Sequence, residues 1–333
     1  MQSSRSDIRL ALPSKGRLAQ GALDFLASAG LRVRKPNPRQ FEARIPTLPG
    51  LTVLFQRAGD IVVSVRDGSI DFGIAGWDAV SERTTPSDAI LPLHQRLGFG
   101  HCTLNVIIPE RWDDVNTMAQ LARREARNEQ PLRVATKYPQ LTRRFLDRHD
   151  LAGAELIRAE GTLEVAPSIG YADIIVDLVS TGTTLRDNRL RQLDDGLILE
   201  SQACLIANRG ALRERPEVLA MVRQLLEFIE AHMRAASHLS LFVNMRGESP
   251  QVIAARMLQQ EFIGGLQGPT ISPVITQDDG DWHAVHIIVP KDRLSQAIGE
   301  LRAIGGSGVV VTPVTYIFEE EPAAYQAMLA ALD

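Results

Sequence analysis

Residues 172–184, Ala-Asp-Ile-Ile-Val-Asp-Leu-Val-Ser-Thr-Gly-Thr-Thr, constrain the fold of this chain more than any other stretch. Residues 172–176 form an apolar, β-branched run with acids at its borders, the pattern of a buried strand. Asp177 falls where that strand should end. Ser180, Thr181, Gly182, Thr183 and Thr184 then make a small, hydroxylated loop leading into a short polar segment, residues 185–190. A strand feeding such a loop turns backbone N–H groups and hydroxyls outward, an arrangement that binds phosphate. Gly182 lets the backbone approach an anion with no Cβ in the way. An acid before the loop would repel phosphate, so it suits sugar hydroxyls or a divalent cation. The stretch asks for a phosphate and a diol, which a phosphorylated ribose supplies, with Mg²⁺ bound alongside. An ordinary strand with a Ser/Thr/Gly turn has the same composition, so the neighbouring sequence has to decide.

The totals narrow the classes. A chain of 333 residues has room for two or three domains. Its net charge of −4 and the lack of a Lys/Arg block exclude a general nucleic-acid binder, so any phosphate recognition is local. No apolar run approaches the ~18 residues of a membrane span, and residues 1–7 have no signal-peptide core. Cys102 and Cys204 sit in apolar runs and read as reduced core thiols. The expected location is cytoplasmic, with neither nucleic acid nor membrane as a partner.

Before the central stretch, strands and helices alternate, which predicts an α/β body with mainly parallel sheets. Residues 8–12 are a strand, followed by Pro13-Ser14-Lys15-Gly16-Arg17 and a helix carrying Leu18, Ala22, Phe25, Leu26 and Ala29. Two cations at a helix N-terminus oppose the dipole unless an anion joins them. Residues 51–55 read as strand. Residues 61–65 fit strand by composition, but helix is preferred because residues 69–76 look like the next strand. Residues 112–128 read as an Arg-rich surface helix. Asp194-Asp195-Gly196 signals a hairpin turn, with a long strand returning over 197–207 and one amphipathic helix over 213–236. The alternation breaks in the last third. Strands at 239–243, 270–276, 282–289 and 309–318, with helices at 251–260 and around Leu294, Ile298 and Leu301, give β-α-β-β-α-β, a split βαβ pattern. Residues 277–281 are the turn between its middle strands. Phosphate-type loops in both halves of the body predict two lobes with ligands meeting between them.

Five segments, taken together, resemble a known family. They are Leu12-Pro13-Ser14-Lys15-Gly16-Arg17-Leu18, Asp71-Phe72-Gly73-Ile74-Ala75-Gly76, Val134-Ala135-Thr136-Lys137-Tyr138-Pro139, Gly161-Thr162-Leu163-Glu164-Val165-Ala166-Pro167, and the central stretch. The chain resembles an ATP phosphoribosyltransferase of histidine biosynthesis, in the long form with a C-terminal regulatory domain. The resemblance implies a two-lobed, periplasmic-binding-protein-like α/β catalytic body and a ferredoxin-like (βαββαβ) regulatory domain. Residues 1–102 and 206–236 would form catalytic domain I, residues 103–205 catalytic domain II, and residues 237–333 the regulatory domain.

The implied reaction joins N1 of ATP to the ribose C1 of phosphoribosyl diphosphate and releases pyrophosphate, with Mg²⁺ required. Ser180, Thr181, Gly182, Thr183 and Thr184 would hold the 5-phosphate. Asp177, and less centrally Asp173, would meet ribose hydroxyls. Lys15, Gly16, Arg17 and Arg57 would face phosphate or pyrophosphate. Asp78 and Ala79 would line the nucleotide pocket, with Glu160, Gly161 and Glu164 on its other wall. Glu164 either orients a ligand or caps its helix, and the former is preferred. No metal ligands are implied. L-Histidine would act as feedback inhibitor near Asn244, Leu266, Thr270, Ile288, Gly306, Ser307 and Gly308. Asn244 stands where some relatives carry an acid able to bind an amino group. A homo-oligomer, from dimer to hexamer, is implied as well.

Other pairings are structural on this reading. His283 and His286, three apart on a strand, point to opposite faces, as do the adjacent His101 and Cys102. The arginines of 123–127 are a solvated helix face. The rivals are a two-lobed solute-binding protein, a non-catalytic amino-acid sensor, and a phosphoribosyltransferase acting on another base. The last would place two adjacent acids before its loop, whereas Asp173 and Asp177 are four apart.

Overall fold

Apolar runs buried on both faces set the architecture of the body: residues 10–12, 174–176 and 203–207 are buried throughout. The computed structural model describes residues 7–35, 37, 40–84, 89–159, 161, 163–275 and 281–332. In chain order the body contains β1 (Ile8–Pro13), α1 (Ala19–Ser28), β2 (Glu42–Arg44), β3 (Leu51–Gln56), α2 (Ala58–Arg66), β4 (Phe72–Gly76), α3 (Trp77–Arg83), β5 (Ile90–His94), β6 (Cys102–Pro109), α4 (Met118–Glu125), β7 (Arg133–Thr136), α5 (Pro139–Asp147), β8 (Glu155–Arg158), β9 (Ile174–Val179), α6 (Thr183–Asp187), β10 (Leu190–Ser201), β11 (Ala203–Asn208), α7 (Arg209–Glu214) and α8 (Pro216–Ala236). Then follow β12 (His238–Arg246), α9 (Pro250–Leu258), β13 (Thr270–Pro273), β14 (Trp282–Pro290), α10 (Leu294–Ala303), β15 (Ser307–Pro313) and α11 (Ala323–Leu332).

The body has two lobes, each built on one sheet. The first sheet runs β2-β3-β1-β4-β11-β5 and the second β10-β6-β9-β7-β8. In the first, β1 pairs in parallel with β3 and β4, while β11 runs antiparallel to β4 and β5. In the second, β7 pairs in parallel with β8 and β9, while β6 runs antiparallel to β9. The chain changes sheet twice: between β5 and β6, and at the single residue Gln202 between β10 and β11. The parallel strands point their carboxyl ends to one edge of each sheet, where ligands of open α/β sheets bind. Ile174, Ile175 and Val176 of β9 are fully buried, which accounts for the unbroken apolar run.

Contacts divide the chain into two units, one holding the chain up to Ala27, Leu31–Val222 and the stretch from Ala327, the other Ser28–Gly30 and Arg223–Gln326. The second unit contains a four-stranded antiparallel sheet, β13-β14-β12-β15. Strand and helix order there is β-α-β-β-α-β, as expected. Leu241, Val243 and Met245 of β12 and Val285, Ile287 and Val289 of β14 bury one face against Ile253 and Met257 of α9 and Ala297 and Leu301 of α10. Phe242 and Val310 remain exposed on the other face.

Residues 61–65 are helical, as expected: Ile61, Val62 and Val65 of α2 are buried at helical spacing. Several other boundaries depart from expectation. Asp194-Asp195-Gly196 makes no hairpin. β10 continues through it with register shifts between Gln192 and Leu199. Asp195 instead accepts the Met118 N–H at 2.7 Å, at the start of α4, where an anion suits the helix dipole. A Cβ on Gly196 would lie 2.9 Å from Leu193 Cβ and 3.2 Å from the Val106 carbonyl oxygen, so only glycine lets the bulge close on β6. The surface helix expected over 112–128 shrinks to α4, begun by a Thr117–Gln120 capping box. The helix expected over 213–236 is two helices, because Pro216 cannot continue α7 but can start α8. The last strand ends at Pro313 rather than residue 318. β2, β5 and α11 carried no strong sequence signal. The turn at 277–281 lies outside the described residues up to Gly280.

Arg215, freed by the break between α7 and α8, reaches a fully buried acid. Its Nη1 lies 2.9 Å from Asp71 Oδ1, and Asp71 Oδ2 accepts the Arg9 N–H at 2.8 Å. Breaking a buried pair by removing one partner is costly because a charge is left behind. Arg215→Met is expected to lower unfolding free energy by about 3 kcal/mol. Urea denaturation of the variant beside wild type checks this, and a loss below ~1 kcal/mol would contradict it.

Candidate functional site

The carboxyl ends of β1, β3 and β4 in one lobe and of β7, β8 and β9 in the other carry most of the residues singled out in the sequence. β9 ends at Val179, and the loop beyond it opens into α6 through Gly182, whose φ of 71° is left-handed. Ser180, Thr181, Thr183 and Thr184 are exposed there, with Thr181 Oγ1 and Thr183 Oγ1 3.3 Å apart. Hydroxyls on an exposed turn after a rigid buried strand can reorganise around an anion without disturbing the core.

Asp177 lies two residues before the end of β9, opposite the buried Asn105 of β6. Its carboxylate accepts the Leu178 N–H at 2.8 Å. Burial pushes its pKa above the ordinary value of 3.8; the Leu178 N–H and the Lys137 charge pull it down, and Glu164 and Asp78 push it up. Asp177, Lys137, Glu164 and Asp78 therefore share one electrostatic neighbourhood.

Asp78 ties the lobes together. It lies in the first turn of α3 and is 5% exposed. Its Oδ1 accepts the Ser201 hydroxyl at 2.6 Å and lies 3.4 Å from Arg17 Nη2; its Oδ2 accepts the Tyr138 hydroxyl at 2.9 Å. Ser201 Oγ in turn accepts the Asp78 N–H at 2.9 Å. Burial, then Asp78, drives the Tyr138 phenol far above its usual range, so it stays a donor. One turn later Glu82 accepts the N–H groups of Gln140 and Leu141, each at 2.9 Å. Pro139 has no N–H to give and Tyr138 provides no cap at the start of α5, so an acid from the other lobe satisfies its orphan donors.

A cavity of about 520 Å³ lies beside this network, at the strands that cross between lobes. Trp77, Arg96, His101, Ser180, Glu200 and Ser201 are among its walls, so it connects the hydroxyl loop with the partner of Asp78. Burial raises the Cys102 thiol there despite nearby Arg17, and Cys204 is pushed higher still by full burial. Neither thiol is an activated nucleophile.

Lys15, Gly16 and Arg17 stand exposed in the turn after β1, and Arg57 is exposed at the start of α2. Ala79 is packed into the core with Ile61, Val62 and Val80, so it shapes the site from behind. Gly161 is exposed, and Glu164 lies half-buried in a short 3₁₀ turn, Leu163–Val165. Glu160 lies outside the described residues. Asp173 requires correction. It precedes β9, about 13 Å along the strand from Asp177, and its oxygens accept from Arg133 N, Nε and Nη2 at 2.9, 3.3 and 2.9 Å. That pairing lowers its pKa against the burial that would raise it. The structure gives Asp173 to strand pairing rather than to the ribose. Tyr138, Ser201, Glu82 and Lys137 were not singled out as site residues. Lys137 and Tyr138 stand in one of the five segments that carry the resemblance, between a strand and Pro139; Ser201 and Glu82 had no such signal.

Residues 57–231 match the model of the ATP phosphoribosyltransferase family, and residues 235–316 match that of its HisG, C-terminal domain. ATP phosphoribosyltransferase 1, chloroplastic, of Arabidopsis thaliana is 43% identical over 98% of this chain and 82% of its own length. The ATP phosphoribosyltransferase of Rhodopseudomonas palustris (strain HaA2) is 33% identical over 97% of this chain and 98% of its own. The chain belongs to the ATP phosphoribosyltransferase family. Among solved structures, the ATP phosphoribosyl transferase (HisG:HisZ) complex from Thermotoga maritima aligns with a TM-score of 0.52 at 24% identity, over 67% of this chain and 98% of that one, a likeness of fold.

Family membership covers the second unit too, where the residues expected to form an effector site are spread out. Asn244 pairs with Ser307 across β12 and β15, the Ser307 hydroxyl donates to the Asn244 carbonyl at 3.4 Å, and a Cβ on Gly308 would sit 3.7 Å from Asn244 Nδ2. Gly306 adjoins them. Ile288 pairs with Ser240, four residues and about 13 Å along β12 from Asn244. Thr270 pairs with His286, and Leu266 is exposed before β13. Asn244, Gly306, Ser307 and Gly308 form one cluster; Ile288 and Thr270 lie elsewhere on the sheet. His286 stacks on Phe242 at 4.4 Å while His283 is buried, so the two are not co-ligands. Among the described residues, no group of three or more His, Cys, Asp or Glu is arranged to hold a metal ion. No described helix is long and apolar enough to cross a membrane.

The Tyr138–Asp78 contact joins the two lobes through one charge-assisted hydrogen bond. A double-mutant cycle of Tyr138→Phe with Asp78→Ala, read by urea unfolding, is expected to return about 1.5–3 kcal/mol of coupling. Coupling below ~0.5 kcal/mol would mean the contact does not hold the lobes.

Proposed function

We propose that the chain transfers the phosphoribosyl group of phosphoribosyl diphosphate to N1 of ATP, giving phosphoribosyl-ATP and pyrophosphate, the first step of L-histidine biosynthesis. The observation that carries this reading is the joining of the exposed 180–184 loop, Asp177 and the Asp78 network at the carboxyl ends of two facing sheets. The bond from adenine N1 to ribose C1 forms as the C1–O bond to pyrophosphate breaks and the electron pair leaves with pyrophosphate. Positive charge grows on the sugar and negative charge on the leaving group, so catalysis is alignment plus electrostatics.

In this reading Ser180, Thr181, Gly182, Thr183 and Thr184 hold the 5-phosphate, and Asp177 accepts from ribose hydroxyls. Lys15, Arg17 and Arg57 face the leaving pyrophosphate, with Gly16 keeping their turn open. Asp78 stands at the nucleotide, fixed by Ser201 and Tyr138, while Gly161 and Glu164 line the opposite wall. The donor set suits Mg²⁺ arriving on substrate: Asp177 and Glu164 lie near one another, and Mg²⁺ takes one or two carboxylates together with substrate phosphates. Bound there, it would neutralise charge on the leaving group.

Feedback by L-histidine belongs to the same proposal, centred on Asn244, Gly306, Ser307 and Gly308. A homo-oligomer, from dimer to hexamer, is supported by the apolar Phe242 and Val310 exposed on the open sheet face. A cytoplasmic setting suits the two free, buried cysteines.

Pyrophosphate release from ATP, phosphoribosyl diphosphate and Mg²⁺ is expected, to be abolished by a chelator and suppressed by L-histidine. Turnover indifferent to histidine would remove the feedback reading, and no turnover in a folded, assembled sample would favour a non-catalytic sensor. Asp177→Asn is expected to cut turnover at least ~100-fold. It should also stabilise the protein at neutral pH. The raised pKa means the folded state binds a proton more readily than the unfolded chain, so stability tied to Asp177 is full below its ordinary 3.8 and is lost as pH rises through the raised value. The variant's advantage in melting temperature should vanish toward pH 4; an advantage that grows there would contradict it.

A further inference from the structure

A second cavity, of about 320 Å³, lies at the seam between the two lobes and takes part in none of the roles above. Arg66, Arg83, Lys137, Arg144 and Arg158 line it, together with Glu82 as its one acid among the described residues. Glu82 is 8% exposed, and both its oxygens are engaged by the α5 N–H groups. The acid in the wall is thus already committed; Arg66 pairs with Asp67 at 3.4 Å, and the charges of Arg83, Lys137 and Arg144, drawn from both lobes, exceed what that one carboxylate could balance. Arg66 and Arg83 come from the ends of α2 and α3 in the first lobe. Lys137, Arg144 and Arg158 come from the second.

Cations gathered from two lobes around one concavity focus a positive field there. They repel one another unless an anion of several charges joins them. Arginine forks match phosphate oxygens bidentately, and a chain of phosphates can engage both sides of the seam at once. A monovalent carboxylate could neither span nor neutralise it. Lys137 belongs to this wall and also influences Asp177, so the cavity adjoins the candidate active site.

We propose that this cavity is a subsite for a chain of two or more phosphates, bridging the lobes. The inference rests on the proposed function only for the source of that chain: the tail of the nucleotide substrate or free pyrophosphate.

The test is calorimetric titration of the full chain with inorganic tripolyphosphate at low salt, comparing wild type with Arg83→Gln/Arg144→Gln. Wild type is expected to bind at this subsite and to melt at a higher temperature when it does. The double variant should bind at least ~10-fold more weakly and lose that thermal shift, since each charge-assisted contact to phosphate contributes substantially. Arg144→Gln alone, at an exposed position, should weaken binding part-way and guards against misfolding of the double variant. Arg123→Gln, remote from the cavity, should bind as wild type. Unchanged binding in the double variant, or equal weakening by Arg123→Gln, would overturn the proposal. Steady-state kinetics then separates the sources. A raised KM for ATP in the double variant identifies the nucleotide tail, and weaker product inhibition by pyrophosphate with KM for ATP unchanged identifies free pyrophosphate. If wild type binds tripolyphosphate without turning over, the subsite stands and the proposed reaction fails.

Discussion

The cleft of this protein depends on satisfying one buried carboxylate. Taking a charge out of water costs several kcal/mol unless partners return that energy. Asp78 obtains its partners from three separate segments: Arg17 beyond β1, Ser201 at the end of β10, and Tyr138 beyond β7. The short bonds from Ser201 and Tyr138 decide the geometry, because hydrogen bonds to a charge contribute about 1.5–3 kcal/mol each. The Arg17 contact, at 3.4 Å and partly exposed, adds less. The first turn of α3 favours an anion as well. Since Ser201 lies next to the residue where the chain changes sheets, the carboxylate fixes the crossing and both cleft walls together.

The same chemistry is used in two ways at the two ends of the strands. Asp71, before β4, accepts the Arg9 N–H and pairs with Arg215. Asp173, before β9, accepts the Arg133 N–H and pairs with the Arg133 side chain. Each lobe thus locks the start of a central strand to the start of its parallel neighbour with an acid and an arginine. Asp78 and Asp177 sit toward the other end, where no arginine neutralises them so fully and where ligands have access. Type and spacing do not separate these roles. The end of the strand on which each acid falls does.

That distinction explains what the sequence made legible. The strand and hydroxyl loop of residues 172–184 could be read because their signals are local: period, composition and a left-handed glycine. The helix over residues 61–65 could be read because a following strand left no room for another. Asp173 could not be placed correctly, since its arginine lies forty residues away in the chain. Asp194-Asp195-Gly196 has the letters of a turn, but Asp195 caps a helix 77 residues earlier, and the glycine serves close approach to β6. Tyr138 and Ser201 carry no distinctive signal alone. Their roles come from Asp78, which is 60 and 123 residues distant.

An acidic chain that handles phosphates has to concentrate its cations. The net charge of −4 gives no long-range attraction for anions, so recognition depends on where positive groups are held near one another. Lys15, Arg17 and Arg57 stand at strand exits of one lobe, and Lys137, Arg144 and Arg158 stand on the other. Lys137 is where the two themes meet. It moderates the raised pKa of Asp177 and lines the basic seam, so one side chain contributes both to the charge felt by Asp177 and to the charge of the seam.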